Sequence, residues 1–429
     1  MFAEREKTFG TVLQDHPQVN LLKSTYNEIK HPEVTLPKSF DGRLVWRNYL
    51  TPIRYQGSCG NCWAIATVTT FSDRLSIMTN NETNTQLSSL NMTVCSDVIA
   101  PKPYYDPNII SQKNFAIHGE ASCFGNTIYN ALRFLNVYGA IELFCSSKAS
   151  LQTRGYKYFD EYLTIQDVPN CQSLFGLDFD ECILKGVAAR YFRTKGHYVV
   201  PSDVEQIKQE IFKFGPVVTG FTVYDNFMNN YDGLSIYTGP TPESQPQGGH
   251  AVRIVGWGEE TVNGENIPYW LIANSWGESW GLAGYFKMKM NIPECQLEKN
   301  VCGMIPDIPE LIVPDYIKFV QINEDQEKRQ QFNVDPVTGY LPSTVKKIKD
   351  GSLKGEVFPI YVSNKLLDFS KTYAAEIIPY TRLFQSKAFI SVDDTNKRVV
   401  SYKNAMIIWF IILLFFGIFL FITKKKSSK

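Results

Sequence analysis

Gln56-Gly57-Ser58-Cys59-Gly60-Asn61-Cys62-Trp63, running straight into an amphipathic run from Ala64 to Thr79, decides the reading of this chain. The stretch predicts an amphipathic helix with Cys62 at its start. A thiol there feels the positive end of the helix dipole, which stabilises the thiolate and makes it a nucleophile near neutral pH. Two remote segments supply partners. Gly248-Gly249-His250-Ala251-Val252 places a histidine at an expected strand start, and Ala273-Asn274-Ser275-Trp276-Gly277 places a carboxamide beside a tryptophan. Imidazole titrates near physiological pH and can hold a thiolate as an ion pair. Asn274 can accept the other ring N–H, with Trp276 shielding that bond from water. Gln56 can donate its amide to a developing oxyanion, together with the Cys62 backbone N–H. Each residue alone is unremarkable, because an isolated Cys or His is usually a packed one. Together they make a nucleophile, a base, its orienter and an oxyanion donor.

Composition sets the frame. Forty-three basic residues balance 43 acidic ones in 429 residues. No basic stripe argues for nucleic acid. No carboxylate pair or metal-ligand cluster stands out, and no motif calls for a cofactor. Nine cysteines are present: Cys59, Cys62, Cys95, Cys123, Cys145, Cys171, Cys182, Cys295 and Cys302. With Cys62 set aside as the nucleophile, the remaining eight suffice for four disulfides in any of 105 connectivities. Cys171/Cys182 and Cys295/Cys302 could close short local loops. Of the remaining histidines, His16 and His31 fall in the leader, His197 at a Gly-His-Tyr strand start and His118 near Cys123.

Residues 1–35 are polar and irregular and read as a leader or short propeptide. The first globular half holds the Cys62 helix and a second helix from about Asn126 to Tyr138, with Gly139 just past its end. Cys145 to Val200 reads as loops. Ser202-Asp203-Val204-Glu205 is a capping box opening a helix that Gly215-Pro216 stops. Strands follow at Val217 to Val223, Ala251 to Trp257, Tyr269 to Ala273 and Tyr285 to Met290. Helices early and strands late predict an α+β protein of two subdomains with a substrate cleft between them. The resulting organisation is a leader (1–35), a globular domain (36–305), a stalk or accessory region (306–403) with strand-like pieces at Glu356 to Val362 and Ala374 to Ile378, a membrane span (404–423) and a lysine-rich tail (424–429).

The span rests on Ala405 to Thr423, nineteen residues without a charge, followed by Lys424, Lys425, Lys426 and Lys429. As a helix that run is about 28 Å long and matches a bilayer core. The expectation is a single-pass membrane protein with a membrane anchor at 404–423. Its side is open: the lysines and the cysteine count favour a lumenal or outer domain, whereas a tail anchor without an apolar leader favours the cytosol. Two sequons, Asn81-Glu82-Thr83 and Asn91-Met92-Thr93, are usable only in the lumenal case.

The cysteine, histidine and asparagine occur in the order of papain-type thiol proteases, and several stretches strengthen the likeness. Leu36-Pro37-Lys38-Ser39-Phe40-Asp41, Phe71-Ser72-Asp73-Arg74-Leu75, Gly248 to Gly258 and Tyr269 to Gly277 resemble the cathepsin B branch of the papain family. The resemblance covers about Leu36 to Pro306. It implies the papain-like two-subdomain fold, with a helical half and a β-rich half, and hydrolysis of polypeptide substrates through an acyl-enzyme. The roles it implies are nucleophile for Cys62, base and acid for His250, orienter for Asn274 and oxyanion donor for Gln56. It further implies substrate contacts at Gly125, Asn126, Gly249 and Trp276, a Cys59–Cys123 disulfide, and no metal.

Two departures from the branch and one agreement bear on specificity. Cys123-Phe124-Gly125-Asn126 stands where the family has Cys-Asn-Gly-Gly, so backbone access for substrate is altered. The paired histidines of the occluding loop have no counterpart between Cys145 and Val200, which predicts an endopeptidase. Asp307 falls where the branch carries an acid at the base of a specificity pocket, which would favour a basic side chain. Two other readings compete: an inactive papain-like module kept for binding or display, and a thiol–disulfide oxidoreductase using Cys59 and Cys62.

Overall fold

The computed structural model describes residues 11, 29–99, 123, 125–146, 188–309, 311–320, 334–355 and 357. The chain divides after Thr372 into two units, and all described residues belong to the first. The expected membrane span, the lysine tail, His16, His118, Cys171, Cys182 and the strand-like pieces beyond Glu356 (Val357 apart) lie outside the described residues. Among the described residues no helix is long and apolar enough to cross a membrane. Nor does any group of three His, Cys, Asp or Glu side chains there suit a metal ion.

The principal helices are α1 (Cys62–Met78), α2 (Leu90–Ile99), α3 (Ile128–Val137), α4 (Val204–Phe214) and α5 (Pro342–Lys349). The strands are β1 (Phe40–Asp41), β2 (Ala140–Ile141), β3 (Tyr191–Phe192), β4 (Thr194–Val199), β5 (Val217–Tyr224), β6 (Ile236–Tyr237), β7 (Pro246–Val262), β8 (Glu265–Ala273), β9 (Tyr285–Lys289) and β10 (Cys302–Pro306). Seven of them form a path in the order β4-β10-β5-β7-β8-β9-β6, and β1 pairs onto β7. Phe40 and Asp41 lie against Trp257 and Gly256, so close that a Cβ on Gly256 would sit 2.1 Å from the Phe40 carbonyl oxygen. The architecture is the expected α+β one, helices first and sheet second.

The helix α1 departs from the amphipathic expectation. All 17 of its residues are buried, because it threads between the sheet at β7 and β10 and the helix α3. Its polar residues are satisfied internally: the hydroxyls of Thr67, Thr70 and Ser72 donate to carbonyls four residues back. Its two charges are paired across the fold. Arg253 reaches Asp73 from β7, and Arg74 donates to the Glu210 carboxylate of α4 at 2.6 Å.

Two local expectations are also corrected, and the stop at Gly215 holds. The N-cap of α4 is Asp203 rather than Ser202, its carboxylate accepting from the Gln206 N–H at 2.9 Å. Gly215 ends that helix at φ +101°, a conformation glycine adopts without steric cost. The Cys145–Val200 stretch read as loop contains β3 and β4, the latter pairing antiparallel with β10. Its Gly196-His197 interruption masked the alternation, since a lone Gly and a buried His break a period-two pattern.

The residues after 306 fold back over β3 and β4. The Val320 N–H donates to the His197 carbonyl at 2.9 Å and the Tyr191 N–H to the Gly339 carbonyl at 2.7 Å. Phe319 lies directly over Gly196, leaving no room for a Cβ there. Val345 and Ile348 of α5 pack with Ala188, Tyr340 and Leu353 in a small satellite core.

Candidate active site

Cys62 opens α1 after Asn61, whose side chain makes no cap to that helix. The first-turn N–H groups therefore direct their partial positive charge at the sulfur. His250 is not at a strand start, as expected, but four residues inside β7, which begins at Pro246. That register sets it opposite Phe221 of β5. The imidazole is fully buried between the Phe221 ring, at 5.9 Å, and the Trp276 ring, stacked at 5.0 Å. Asn274 follows the last residue of β8, and its Oδ1 lies 2.8 Å from His250 Nε2. The same Oδ1 accepts the Ser275 N–H at 2.8 Å, which identifies it as the oxygen. Nε2 must then carry the proton, and Nδ1 is the atom left to serve the sulfur.

The sulfur is held from several sides. Ala251 N–H lies 3.5 Å from Sγ and the Thr11 hydroxyl 3.2 Å. Complete burial would push this thiol up, but the charge and hydrogen bond of His250, with help from Ala251 and Thr11, bring it down to about 7. The thiol can thus exchange its proton near neutrality.

Gln56 lies beside this pair. Its Nε2 donates to the Cys59 carbonyl at 3.0 Å, and its Oε1 accepts from the Ser275 hydroxyl at 2.5 Å. Both ends of the Gln56 carboxamide are thereby anchored beside the Cys62–His250 pair. Ser275, which the sequence reading passed over, thus joins the Asn274 loop to Gln56. Its place in Asn-Ser-Trp was the available signal.

Cys59 and Cys123 form a disulfide. That bond carries the strand of chain at Gly125 and Asn126 to the start of α1, and the Gly60 N–H donates to the Cys123 carbonyl at 2.8 Å. Cys59 is therefore paired with Cys123 and not with Cys62. Cys95 and Cys145 are also disulfide-bonded, whereas Cys295 and Cys302 are not, contrary to the local loop expected of them. Burial holds both of these thiols up at about 12.

Asn126 answers the altered glycines. Its Oδ1 accepts from the Thr127 N–H at 2.8 Å and from Asn130 Nδ2 at 2.7 Å, turning the side chain into the first turn of α3. Gly125, at φ +113°, opens the approach to this stretch of backbone. Thr11 of the leader occupies that opening. It pairs in parallel with Asn126, donates its N–H to the Gly249 carbonyl at 3.1 Å, and sets its hydroxyl 3.2 Å from Cys62 Sγ. A leader residue thus takes up two of the positions expected to meet substrate, Asn126 and Gly249, and lies against the Cys62 sulfur as well. No motif in the leader announced it.

Asp307 fits its expected role less well. Its carboxylate lies 3.9 Å from Arg193 Nη2 and its N–H donates to the Arg193 carbonyl at 2.8 Å. A cation already faces the acid, which removes the argument for selecting a basic substrate side chain.

Comparison with known proteins agrees with this geometry. The family model for papain family cysteine proteases matches residues 36–305. Cathepsin B-like cysteine proteinase 4 of Caenorhabditis elegans is 33% identical over 307 residues, covering 68% of this chain and 80% of that protein. Cathepsin B-like cysteine proteinase 2 of Haemonchus contortus is 30% identical over 312 residues, 71% of this chain and 83% of that protein. Among solved structures, proCathepsin B S9 from Trypanosoma congolense superposes with a TM-score of 0.53 at 25% identity, over 71% of this chain and 89% of that one. The chain belongs to the papain family of cysteine peptidases, on its cathepsin B-like side.

Proposed function

We propose that this peptidase is a thiol endopeptidase made as a self-blocked precursor, with Cys62 as nucleophile and its domain tethered to a membrane by residues 404–423. The observation that carries the catalytic reading is the Cys62–His250–Asn274 chain, in which a fixed tautomer aims Nδ1 at a thiol brought down to about 7. The thiolate attacks the scissile carbonyl carbon, forming a C–S bond and an oxyanion. The Cys62 N–H and the Gln56 side-chain amide receive that oxyanion. The imidazolium gives its proton to the departing amine as the C–N bond breaks. Water, deprotonated by the same ring, then attacks the thioester, releasing the acid and restoring the thiol. No further group is required, and the substrate is a polypeptide.

Internal cleavage is supported by the absence from the sequence of paired histidines between Cys145 and Val200, where a carboxylate-binding loop would need them. Self-blocking is supported by Thr11, which a substrate must displace. A lumenal or outer placement is supported by the disulfide-bonded Cys59, Cys95, Cys123 and Cys145 and by the lysines after the apolar segment. The test is an internally quenched peptide blocked at both ends, given to protein freed of residues 1–35. Cleavage in its interior is expected. Release of C-terminal dipeptides from an unblocked peptide, without interior cleavage, would overturn the endopeptidase reading.

A further inference from the structure

The two sequons are chemically alike but structurally opposite. Asn81-Glu82-Thr83 follows the C-terminal end of α1, and Asn81 is exposed at φ +68°. Its Oδ1 accepts from Asn84 Nδ2 at 2.7 Å, which turns the carboxamide outward along the surface. Asn91-Met92-Thr93 lies inside α2, and Asn91 is 5% exposed. The Thr93 hydroxyl donates to the Ser89 carbonyl at 2.8 Å and accepts from Asn61 Nδ2 at 3.2 Å. Asn61 is the residue immediately before Cys62, so displacing α2 would disturb the wall behind the thiol.

We propose that Asn81 is an N-glycosylation site and that Asn91 stays bare in the folded protein. The co-reactant is a lipid diphosphate-linked oligosaccharide. The Asn81 carboxamide nitrogen forms a bond to C1 of the first sugar, the C1–oxygen bond to the diphosphate breaks, and the amide loses one proton as the lipid diphosphate leaves. Thr83 completes the recognition triplet. In the folded protein the sugar stands one helix length from the chemistry. The 17 residues of α1 separate it from Cys62 by about 25 Å. A glycan there covers a turn without closing the cleft.

The inference rests on the lumenal placement proposed above, so the experiment must separate the two. The full chain is expressed in a eukaryotic cell and its mobility compared before and after peptide-N-glycosidase. Three variants accompany it: Asn81→Gln, Asn91→Gln, and Glu265→Thr, which turns the exposed hairpin tip Asn263-Gly264 into a third acceptor. One enzyme-sensitive shift is expected in the wild type and in Asn91→Gln, none in Asn81→Gln, and two steps in Glu265→Thr. A shift that survives Asn81→Gln overturns the assignment. A single step in Glu265→Thr with none in the wild type overturns Asn81 while keeping the lumenal placement. No step in any variant overturns the placement and the glycan together.

Discussion

His250 on β7 and His197 on β4 are both buried, and the difference between their surroundings separates a reactive group from a structural one. His250 has an amide oxygen on Nε2, a thiol served by the other side, and two aromatic rings holding its plane. His197 has the edge of the Tyr129 ring at 5.8 Å, and its Nε2 meets no hydrogen-bond partner among the described residues. Burial alone pushes the His197 imidazole down to about 3. Desolvation without a counter-charge makes a histidine inert. Desolvation beside a thiol and an oriented amide instead concentrates the charge exchange at one sulfur–nitrogen pair.

A third site shows the structural use of the same physics. Glu210 accepts from Arg74 at 2.6 Å and Tyr198 OH at 2.8 Å, with His31 Nε2 at 3.0 Å on its other oxygen. Burial would push that carboxyl up, but Arg74 and His31 outweigh it and hold it at about 2. His31 is also edge-on to Tyr316, so the leader, the peptidase domain and the segment after it meet at one carboxylate.

The contrast can be broken at each point. Cys62→Ala is expected to abolish peptide hydrolysis in protein freed of its leader, a loss of about 10⁶ in kcat, and His250→Ala to come close to it. His197→Met should leave kcat unchanged in the same assay. Glu210→Gln strands the Arg74 guanidinium in the core and should cost about 3–5 kcal/mol in urea unfolding at pH 7. Gln56→Ala should lower kcat about 10²–10³-fold and, by stranding the Cys59 carbonyl and the Ser275 hydroxyl, cost about 1–3 kcal/mol in unfolding.

The smallest effect separates the two structural sites by pH. The His197 imidazole is lowered by burial, so below about 6.5 the unfolded chain takes up a proton that the native state refuses. Its contribution is intact above 6.5 and is lost towards pH 3, at up to about 1.4 kcal/mol per pH unit. The Glu210 carboxyl is also depressed, but its contribution is present above about 4.5 and disappears only as pH falls to about 2. His197→Met should therefore flatten the stability–pH curve between pH 6 and 5, a window in which Glu210→Gln should not alter the slope. If both variants flatten the same window, the distinction drawn here fails.

The sequence carried the chemistry better than the packing. That Cys62, His250, Asn274 and Gln56 come together was legible because each sits in a short, distinctive stretch, and the end of α4 followed from its glycine. Full burial of α1 was not legible, since Thr67, Thr70, Ser72, Asp73 and Arg74 look like a polar face until their carbonyl and ionic partners arrive from elsewhere. The place of Thr11 and the return of residues 311–320 over β4 depend on contacts between remote segments, which no local pattern records.

The central claim is that His250 sets the state of the Cys62 sulfur. Alkylation of Cys62 by a small haloacetamide, followed against pH on the full chain by peptide mass mapping, tests it most directly. The account predicts a wild-type midpoint near 7, with His250→Ala moving it upward to the range of an ordinary buried thiol. Equal midpoints in the two proteins would contradict it.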